Sequence, residues 1–196
     1  DSAIGRNRPV ATPFNHLAEA SYFPIVPMNL RMFRRHSFLL PLVAFYCAGL
    51  ASAQIELTGS ISDDTTGPLL SGQVYHLNGG VSLPAGKTLT VQAGAIVKGR
   101  PNSQLVTQGT LLVNGAPGNP AIFTSYSDDV GGDTNLDGAS TGTPADWRGI
   151  YMYPSSSASV YSHVEVRFSG GGNGAGIEIT GGGVQLDAVD ISSGSR

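Results

Sequence analysis

The stretch Gly86-Lys-Thr-Leu-Thr-Val91 recurs as Gly109-Thr-Leu-Leu-Val113, and this repeat decides the fold. It places Leu89 and Leu111 in equivalent positions, 22 residues apart. Similar units at an interval of this size are typical of a solenoid, in which one turn buries its apolar side only when the next turn stacks on it. The repeat therefore predicts short strands stacked in parallel.

Two further repeats lie downstream at similar intervals. His163-Val-Glu-Val-Arg167 is echoed by Ala188-Val-Asp-Ile-Ser192 at a spacing of 25 residues, and Gly149-Ile-Tyr-Met by Gly176-Ile-Glu-Ile at a spacing of 27. An antiparallel β-sandwich has no reason to repeat equivalent strands at one interval. The spacings favour an all-β, right-handed parallel β-helix, a β-solenoid of three-sided turns.

Alternation within one strand predicts which side chains face the core. Side chains two apart share a face of a strand. We expect the even row of the segment 160–168 to line the core and the odd row to meet water. The odd row comprises Tyr161, His163, Glu165 and Arg167.

The N-terminal part of the chain predicts export. From Met28 a basic stretch leads into the apolar run Phe38–Leu50, and Ala51-Ser-Ala53 follows. This is the layout of a signal peptide, here residues 28–53, and its apolar run is shorter than the roughly 20 residues that span a bilayer. We expect a secreted or cell-surface protein without a transmembrane span in its mature part, and we interpret residues 1–27 as a non-native upstream segment.

The mature part divides into three regions by pattern. Residues 54–80 are expected to be an N-terminal leader or cap, and residues 81–196 to be rungs of the solenoid, with a loop insertion at 126–146. Because Ser195-Arg196 directly follows a strand-like stretch, we expect the solenoid to be truncated at its C-terminus.

The charge of residues 54–196 limits the partners. This region has six Lys and Arg against twelve Asp and Glu, a net charge of −6. An acidic surface disfavours nucleic acid and anionic membranes and suits divalent cations.

Five segments in order resemble one superfamily. They are Leu89-Thr-Val-Gln-Ala-Gly-Ala-Ile-Val97, Leu111-Leu-Val-Asn-Gly115, Pro120-Ala-Ile-Phe-Thr-Ser125, Gly131-Gly-Asp-Thr-Asn-Leu-Asp-Gly138 and Asp146-Trp-Arg-Gly-Ile150. Together they look like bacterial secreted proteins of the right-handed parallel β-helix, pectin-lyase-like superfamily, over about residues 80 to 192. The resemblance implies either a surface or adhesin-like module or a polysaccharide lyase or hydrolase. The hydrolases of that superfamily carry an Asn-Thr-Asp strand and a Gly-His-Gly turn, which this sequence lacks.

The insertion contains a candidate calcium site. Asp133, Asn135, Asp137 and Gly138 follow the D-x-N-x-D-G order, in which alternate oxygen ligands converge on a hard cation. Asp128 or Asp129 could supply a further carboxylate. An EF-hand would have a glutamate at the twelfth loop position, where Pro144 stands, so we expect a shorter Ca²⁺ loop or an ordinary solvated turn.

The catalytic candidates are His163, Glu165 and Arg167 of the odd row, with Asp190. If the 25-residue register is correct, Glu165 lies beside Asp190 about 4.8 Å away in the next strand, where two carboxylates could share a proton or a cation. The alternative is a solvated ladder of charges. Trp147 is either a sugar-stacking platform or, as its place beneath a loop favours, a core residue.

Two functions remain open at this level. The absence of a recognisable catalytic set favours a noncatalytic secreted or cell-surface β-helix, adhesin-like or glycan-contacting, and stabilised by calcium. The alternative is a polysaccharide lyase or glycoside hydrolase with its site at His163, Glu165 and Arg167, or beyond residue 196.

Overall fold

A computed structural model describes residues 54–172 and 175–194 of the chain. The predicted upstream segment 1–27 and signal peptide 28–53 lie outside these residues. In the described part the chain forms strands and one 3₁₀ turn, Pro154–Ser156, and no α-helix. No helix in this part is long and apolar enough to cross a bilayer.

Twelve short strands make up the described fold. In chain order they are β1 (Ile55–Leu57), β2 (Val74–Leu77), β3 (Gly80–Leu83), β4 (Thr88–Gln92), β5 (Ile96–Gly99), β6 (Gln104–Thr107), β7 (Thr110–Asn114), β8 (Ala121–Ser125), β9 (Gly149–Met152), β10 (Val160–Arg167), β11 (Ile177–Ile179) and β12 (Gln185–Ser192).

All pairings between these strands are parallel. One sheet has the order β1-β2-β5-β8-β10-β7-β4, with β12 also on β10, and the second has the order β11-β9-β6-β3. Apart from β1, which pairs with β2, each strand pairs with the strand one repeat away rather than with its neighbour in the chain. The fold is all-β, with parallel strands in a curled sheet, an arrangement compatible with a parallel β-helix.

The registers predicted from the repeats are confirmed. Leu89 pairs with Leu111 across β4 and β7, and Val164 pairs with Val189 across β10 and β12. The repeat that begins at Gly149 and Gly176 is also confirmed, because Ile150 of β9 pairs with Ile177 of β11. Each interval in the sequence is therefore the length of chain that separates two neighbouring parallel strands.

The larger sheet curls within strand β10. Its first part, Val160–Ser162, pairs with β7, whereas its second part, Val164–Val166, pairs with β8. His163 lies between them with a φ of 49°, and Ala188 has a φ of 51° at the corresponding point of β12. One left-handed residue thus turns each strand from one side of the molecule to the next.

This turn corrects the predicted odd row. Tyr161 is fully buried, and its hydroxyl donates to Met152 Sδ at 3.3 Å. Before His163 the buried residue is the odd-numbered Tyr161. After His163 the buried residues are the even-numbered Val164 and Val166, as predicted. The prediction for Tyr161 was wrong because strict alternation holds only while the backbone stays extended.

The core consists of inward rows of apolar side chains from both sheets. Leu89, Leu105, Leu111, Phe123 and Ile150 are among its fully buried members, each at most 1% exposed. Burial of one such side chain stabilises a fold by roughly 1.5–3 kcal/mol. Stacking of like residues between neighbouring strands is therefore the main source of stability in this architecture.

Segment 54–80, predicted as a leader or cap, contributes two strands to the stack. β1 pairs with β2, and β2 pairs with β5. At the other end, β12 pairs with β10 alone among the described strands, and its Leu186 and Ile191 are about half exposed. Strands inside the stack bury their apolar side chains because they have a neighbour on both edges.

The predicted insertion separates β8 from β9. Leu105 of β6 pairs with Ile150 of β9, 45 residues later, because residues 126–146 leave the stack between the two strands. We call residues 126–146 the acidic loop. It folds back over the outward side of β2 and β5, which we call the covered face.

Candidate functional site

Three aspartates of the acidic loop converge. Oxygen atoms of Asp129, Asp133 and Asp137 all lie within 4.8 Å of one another. The Asp133 carboxylate also accepts hydrogen bonds from the backbone N–H groups of Leu136 at 2.7 Å and Gly138 at 3.1 Å, which bend the loop around it. Oxygens that share one Ca²⁺ at 2.3–2.6 Å lie at most about 5 Å apart, so these carboxylates could hold that ion.

The fourth predicted ligand, Asn135, lies beside this cluster. Its Nδ2 donates to Asp137 Oδ2 at 2.5 Å, while its Oδ1 is buried without a hydrogen-bond partner among the described residues. Ser140 joins the two ends of the cluster, because its N–H donates to Asp129 Oδ2 at 2.7 Å and its hydroxyl donates to Asp137 Oδ1 at 2.8 Å. The loop thus brings together the three predicted carboxylates, whereas Asn135 contacts them through its amide nitrogen and not through its oxygen.

Asp128 is directed away from the cluster. Its Oδ2 accepts from the Thr124 hydroxyl at 2.6 Å, and its Oδ1 accepts from the Val130 N–H at 3.2 Å. The same Oδ2 lies 3.7 Å from Arg167 Nη1. Of the two aspartates that the sequence left open, Asp129 therefore belongs to the cluster and Asp128 ties the loop to the strands.

A buried lysine lies under the acidic loop. Lys98 of β5 is fully buried, and its Nζ donates to Gly132 O and Thr134 Oγ1, both at 2.9 Å. Burial lowers the pKa of the Lys98 ammonium, and the nearby aspartates of the loop oppose this shift. The amino group of Lys98 thus lies beneath the loop that carries the carboxylates.

Thr134 anchors the loop to three neighbouring parts of the chain. Besides Lys98, His76 of β2 approaches it, with Nε2 at 3.2 Å from Thr134 Oγ1. Gln54, which precedes β1, donates to the Thr134 carbonyl oxygen. These contacts hold the loop against the covered face at one residue.

The covered face continues into a second cluster of charged and aromatic side chains. His76 is fully buried and meets the Tyr126 ring edge to face, with centroids 4.9 Å apart. The Arg100 guanidinium lies 4.2 Å above that ring and pairs with Glu56. Glu56 Oε1 is also 3.5 Å from His76 Nδ1, which has no hydrogen bond in the described part.

The pKa values of this cluster shift in opposite senses. Burial lowers the pKa of His76, an effect that the Glu56 carboxylate opposes. The hydrogen bond from Arg100 lowers the pKa of Glu56, and the same pair raises the pKa of Arg100. The histidine is thus held neutral beside an ion pair.

Three of the four predicted catalytic residues line a groove at the bend of strands β10 and β12. This corner groove has a volume of about 380 Å³ and is lined in part by His163, Glu165 and Asp190. Glu165 and Asp190 are register partners in β10 and β12, so their predicted juxtaposition is confirmed. Arg167 forms an ion pair with Glu165.

Trp147 is a core residue. Its side chain is fully buried, and Nε1 donates to the Arg167 carbonyl oxygen at 2.9 Å. The indole packs on Gly99 so closely that a Cβ there would lie 2.6 Å from it. With no exposed face, this ring offers no platform for a sugar.

Sequence reasoning missed Lys98, His76 and the ion pair beside them. Nothing in the strand Ile96–Gly99 distinguishes a buried lysine from a solvated one. The one available signal was indirect, since a loop rich in aspartates needs positive charge nearby when it packs against the fold.

When the chain is compared with protein-family models, curated proteins and solved structures, it matches none of them. The functional argument therefore starts from the geometry described above.

Proposed function

We propose that this chain is a right-handed parallel β-helix of an exported protein and acts as a noncatalytic secreted or cell-surface module, adhesin-like or glycan-contacting. The parallel registers at intervals of 22 to 27 residues support the architecture. Solenoids of this kind present long regular sides on which side chains recur at each turn. Such sides suit contact with an extended polymer.

The observation that carries the noncatalytic proposal is the ion pairing in the corner groove. Glu165 is bound to Arg167, and Arg167 in turn approaches Asp128 of the acidic loop. A carboxylate held in such a series of ion pairs already has a structural role. Its charge is balanced by the guanidinium of Arg167, and both side chains of this pair are partly buried.

The same groove supports the alternative, a polysaccharide lyase or glycoside hydrolase. Neighbouring strands lie about 4.8 Å apart, and two carboxylates about 5–5.5 Å apart are the arrangement of retaining glycosidases. Glu165 and Asp190 are register partners with His163 beside them. This observation justifies a direct assay.

The assay incubates the full chain with acidic and neutral polysaccharides and measures new reducing ends and unsaturated products. We expect no sustained turnover. Turnover that disappears in Glu165→Ala and persists in Asp187→Ala would establish the enzyme instead. Asp187 is a matched control because it lies in the same strand as Asp190 but pairs with Ser162, outside the groove.

We further propose that Ca²⁺ stabilises the acidic loop at Asp129, Asp133, Asn135 and Asp137. The convergence of three carboxylates within 4.8 Å supports this role. An ion that binds only the folded state stabilises it by about 2.7 kcal/mol at 100 times its Kd. We expect a chelator to lower the melting temperature, and Asp133→Asn to abolish that effect.

The control for calcium is Asp187→Asn, which changes the charge equally on an exposed strand. It should keep the response to chelator. If the wild-type chain melts at the same temperature with Ca²⁺ and with chelator, the loop is an ordinary hydrogen-bonded turn.

A further inference from the structure

A pair of tyrosines on the smaller sheet forms a recess with no role in the sites above. Tyr151 lies in β9 and is half-buried, and Tyr153 follows the end of that strand with 41% of its surface exposed. Their ring centroids are 5.1 Å apart at an interplanar angle of 74°. With Gln104 and Val106 they line a recess of about 260 Å³.

The strand register builds this recess. Tyr151 is the register partner of Val106 in β6, so the tyrosine ring lies beside an aliphatic side chain. Tyr153 is two residues further along and has an extended backbone, with φ −76° and ψ 162°, as expected before Pro154. The two rings therefore project from the same side of the sheet, and Pro154 fixes the position of the second.

Polar groups border the rings where Gln104 lies. Gln104 lines this recess and also a smaller one of about 30 Å³, whose lining includes Arg148 and Glu178. The amide of Gln104 is therefore shared by the two recesses. An apolar platform bordered by hydrogen-bonding groups is the usual composition of a small-molecule site.

We infer that Tyr151, Tyr153 and Gln104 form a binding site for one neutral pyranose unit of a glycan, an inference that rests on the glycan-contacting function proposed above. A pyranose has an apolar face of ring C–H groups, which packs on an aromatic ring, and a rim of hydroxyls, which bond to amide and charged groups. The recess is smaller than the roughly 300–1,000 Å³ of drug-sized sites, which suits a single sugar ring. The glycan is neutral because residues 54–196 carry a net charge of −6, which repels a polyanion.

The test measures binding of the full chain to cellohexaose, xylohexaose, mannohexaose and a galacturonate hexamer by isothermal titration calorimetry. We expect binding to at least one neutral oligosaccharide. Tyr153→Ala should weaken it about tenfold, since loss of an aromatic contact is worth up to about 1.4 kcal/mol. Tyr153→Phe, which keeps the ring, should bind within about twofold of wild type.

Leu70→Ala is the control variant, because it removes an exposed apolar side chain from another part of the chain. It should bind as wild type does, and melting curves establish that each variant is folded. Gln104→Ala should weaken binding less than Tyr153→Ala, because it removes hydrogen bonds that water can replace.

The possible results distinguish an error in the proposed tyrosine site from an error in the glycan-contacting function. If neutral glycans bind and Tyr153→Ala binds equally well, the site is wrong and the glycan-contacting function stands. If the wild-type chain binds none of the four oligosaccharides, both fail. If only the galacturonate hexamer binds, the neutral specificity is overturned.

Discussion

The inward rows of the core and the covered face are equally buried, but different features of the sequence cause their burial. Leu89 and Leu111 are buried because the repeat stacks one strand on the next. His76 and Lys98 lie on the outward side of their strands, yet they are fully buried because the acidic loop folds over them. Burial by stacking can be predicted from the repeat interval of the sequence. Burial beneath an insertion depends instead on which surface the inserted loop packs against.

The largest expected effect tests the interior rows. Phe123→Ala removes a fully buried ring and should lower the free energy of unfolding by about 3–5 kcal/mol. Urea denaturation of the full chain measures it. The matched control is Ile122→Ala, the outward neighbour, which is only half-buried and should cost clearly less. Equal losses at the two positions would contradict the inward and outward assignment of β8.

The next effect tests the covered face. Lys98→Met keeps the length of the side chain but removes its two hydrogen bonds to the acidic loop. Loss of the partner of a buried acceptor, here Thr134 Oγ1, costs about 1–3 kcal/mol, so the variant should be destabilised by that amount. Because the lost contacts are to the loop, limited proteolysis should cut within residues 126–146 faster than in wild type.

Lys87→Met is the control for this experiment. Lys87 pairs with Asp64 at 2.9 Å on the surface, where both side chains are more than half exposed. Exposed ion pairs contribute about 0–1 kcal/mol, so this variant should change neither the stability nor the cleavage of the loop appreciably. Unchanged cleavage of the loop in Lys98→Met would show that the ammonium does not hold it.

Much of the fold could be predicted because repeats and alternation report directly on strand stacking. The pairings of Leu89 with Leu111 and Val164 with Val189 follow from residue spacing alone. The burial of Tyr161 did not follow, because it depends on a positive φ at His163. Histidine adopts that conformation more often than most residues, but still only in a small fraction of cases.

The candidate site was predictable only where the sequence contains a local motif. Asp133, Asn135 and Asp137 are close in the chain, so their convergence needs one bend of the loop. Lys98 and Thr134 are 36 residues apart, and their contact depends on how the loop docks. The tyrosine recess likewise combines β6 and β9 across the insertion, so no local pattern reveals it.

A smaller effect of the covered face is expected in the pH dependence of stability. Burial holds the folded pKa of His76 below its ordinary value of 6.5, with Glu56, Arg100 and Lys98 as the charges that face it. Between the folded and unfolded pKa values the unfolded chain binds more protons, so stability is full above about pH 6.5 and is lost as the pH falls. We expect the melting temperature to decrease from pH 7 to pH 5.

The control for the pH effect is His76→Phe, which keeps a ring next to Tyr126. Its melting temperature should change less between pH 7 and pH 5 than that of wild type. Glu56 contributes in a lower range, because its pKa is lowered from 4.5, so its protonation does not mimic the histidine above pH 5. An equal slope in both proteins would assign the pH dependence to other groups.

The smallest effect is expected within the acidic loop itself, at Leu136. This side chain is 84% exposed, and only its backbone N–H is used, as a donor to Asp133. Leu136→Ala keeps that N–H and removes apolar surface that is already in water, so the free energy of unfolding should stay within about 0.5 kcal/mol of wild type. Leu136→Pro removes the donor and also cannot adopt the φ of 61° found here, so it should disturb the loop and reduce any stabilisation by Ca²⁺. A large loss in Leu136→Ala would mean that the side chain is covered in solution and that the loop packs differently from the arrangement that buries Lys98.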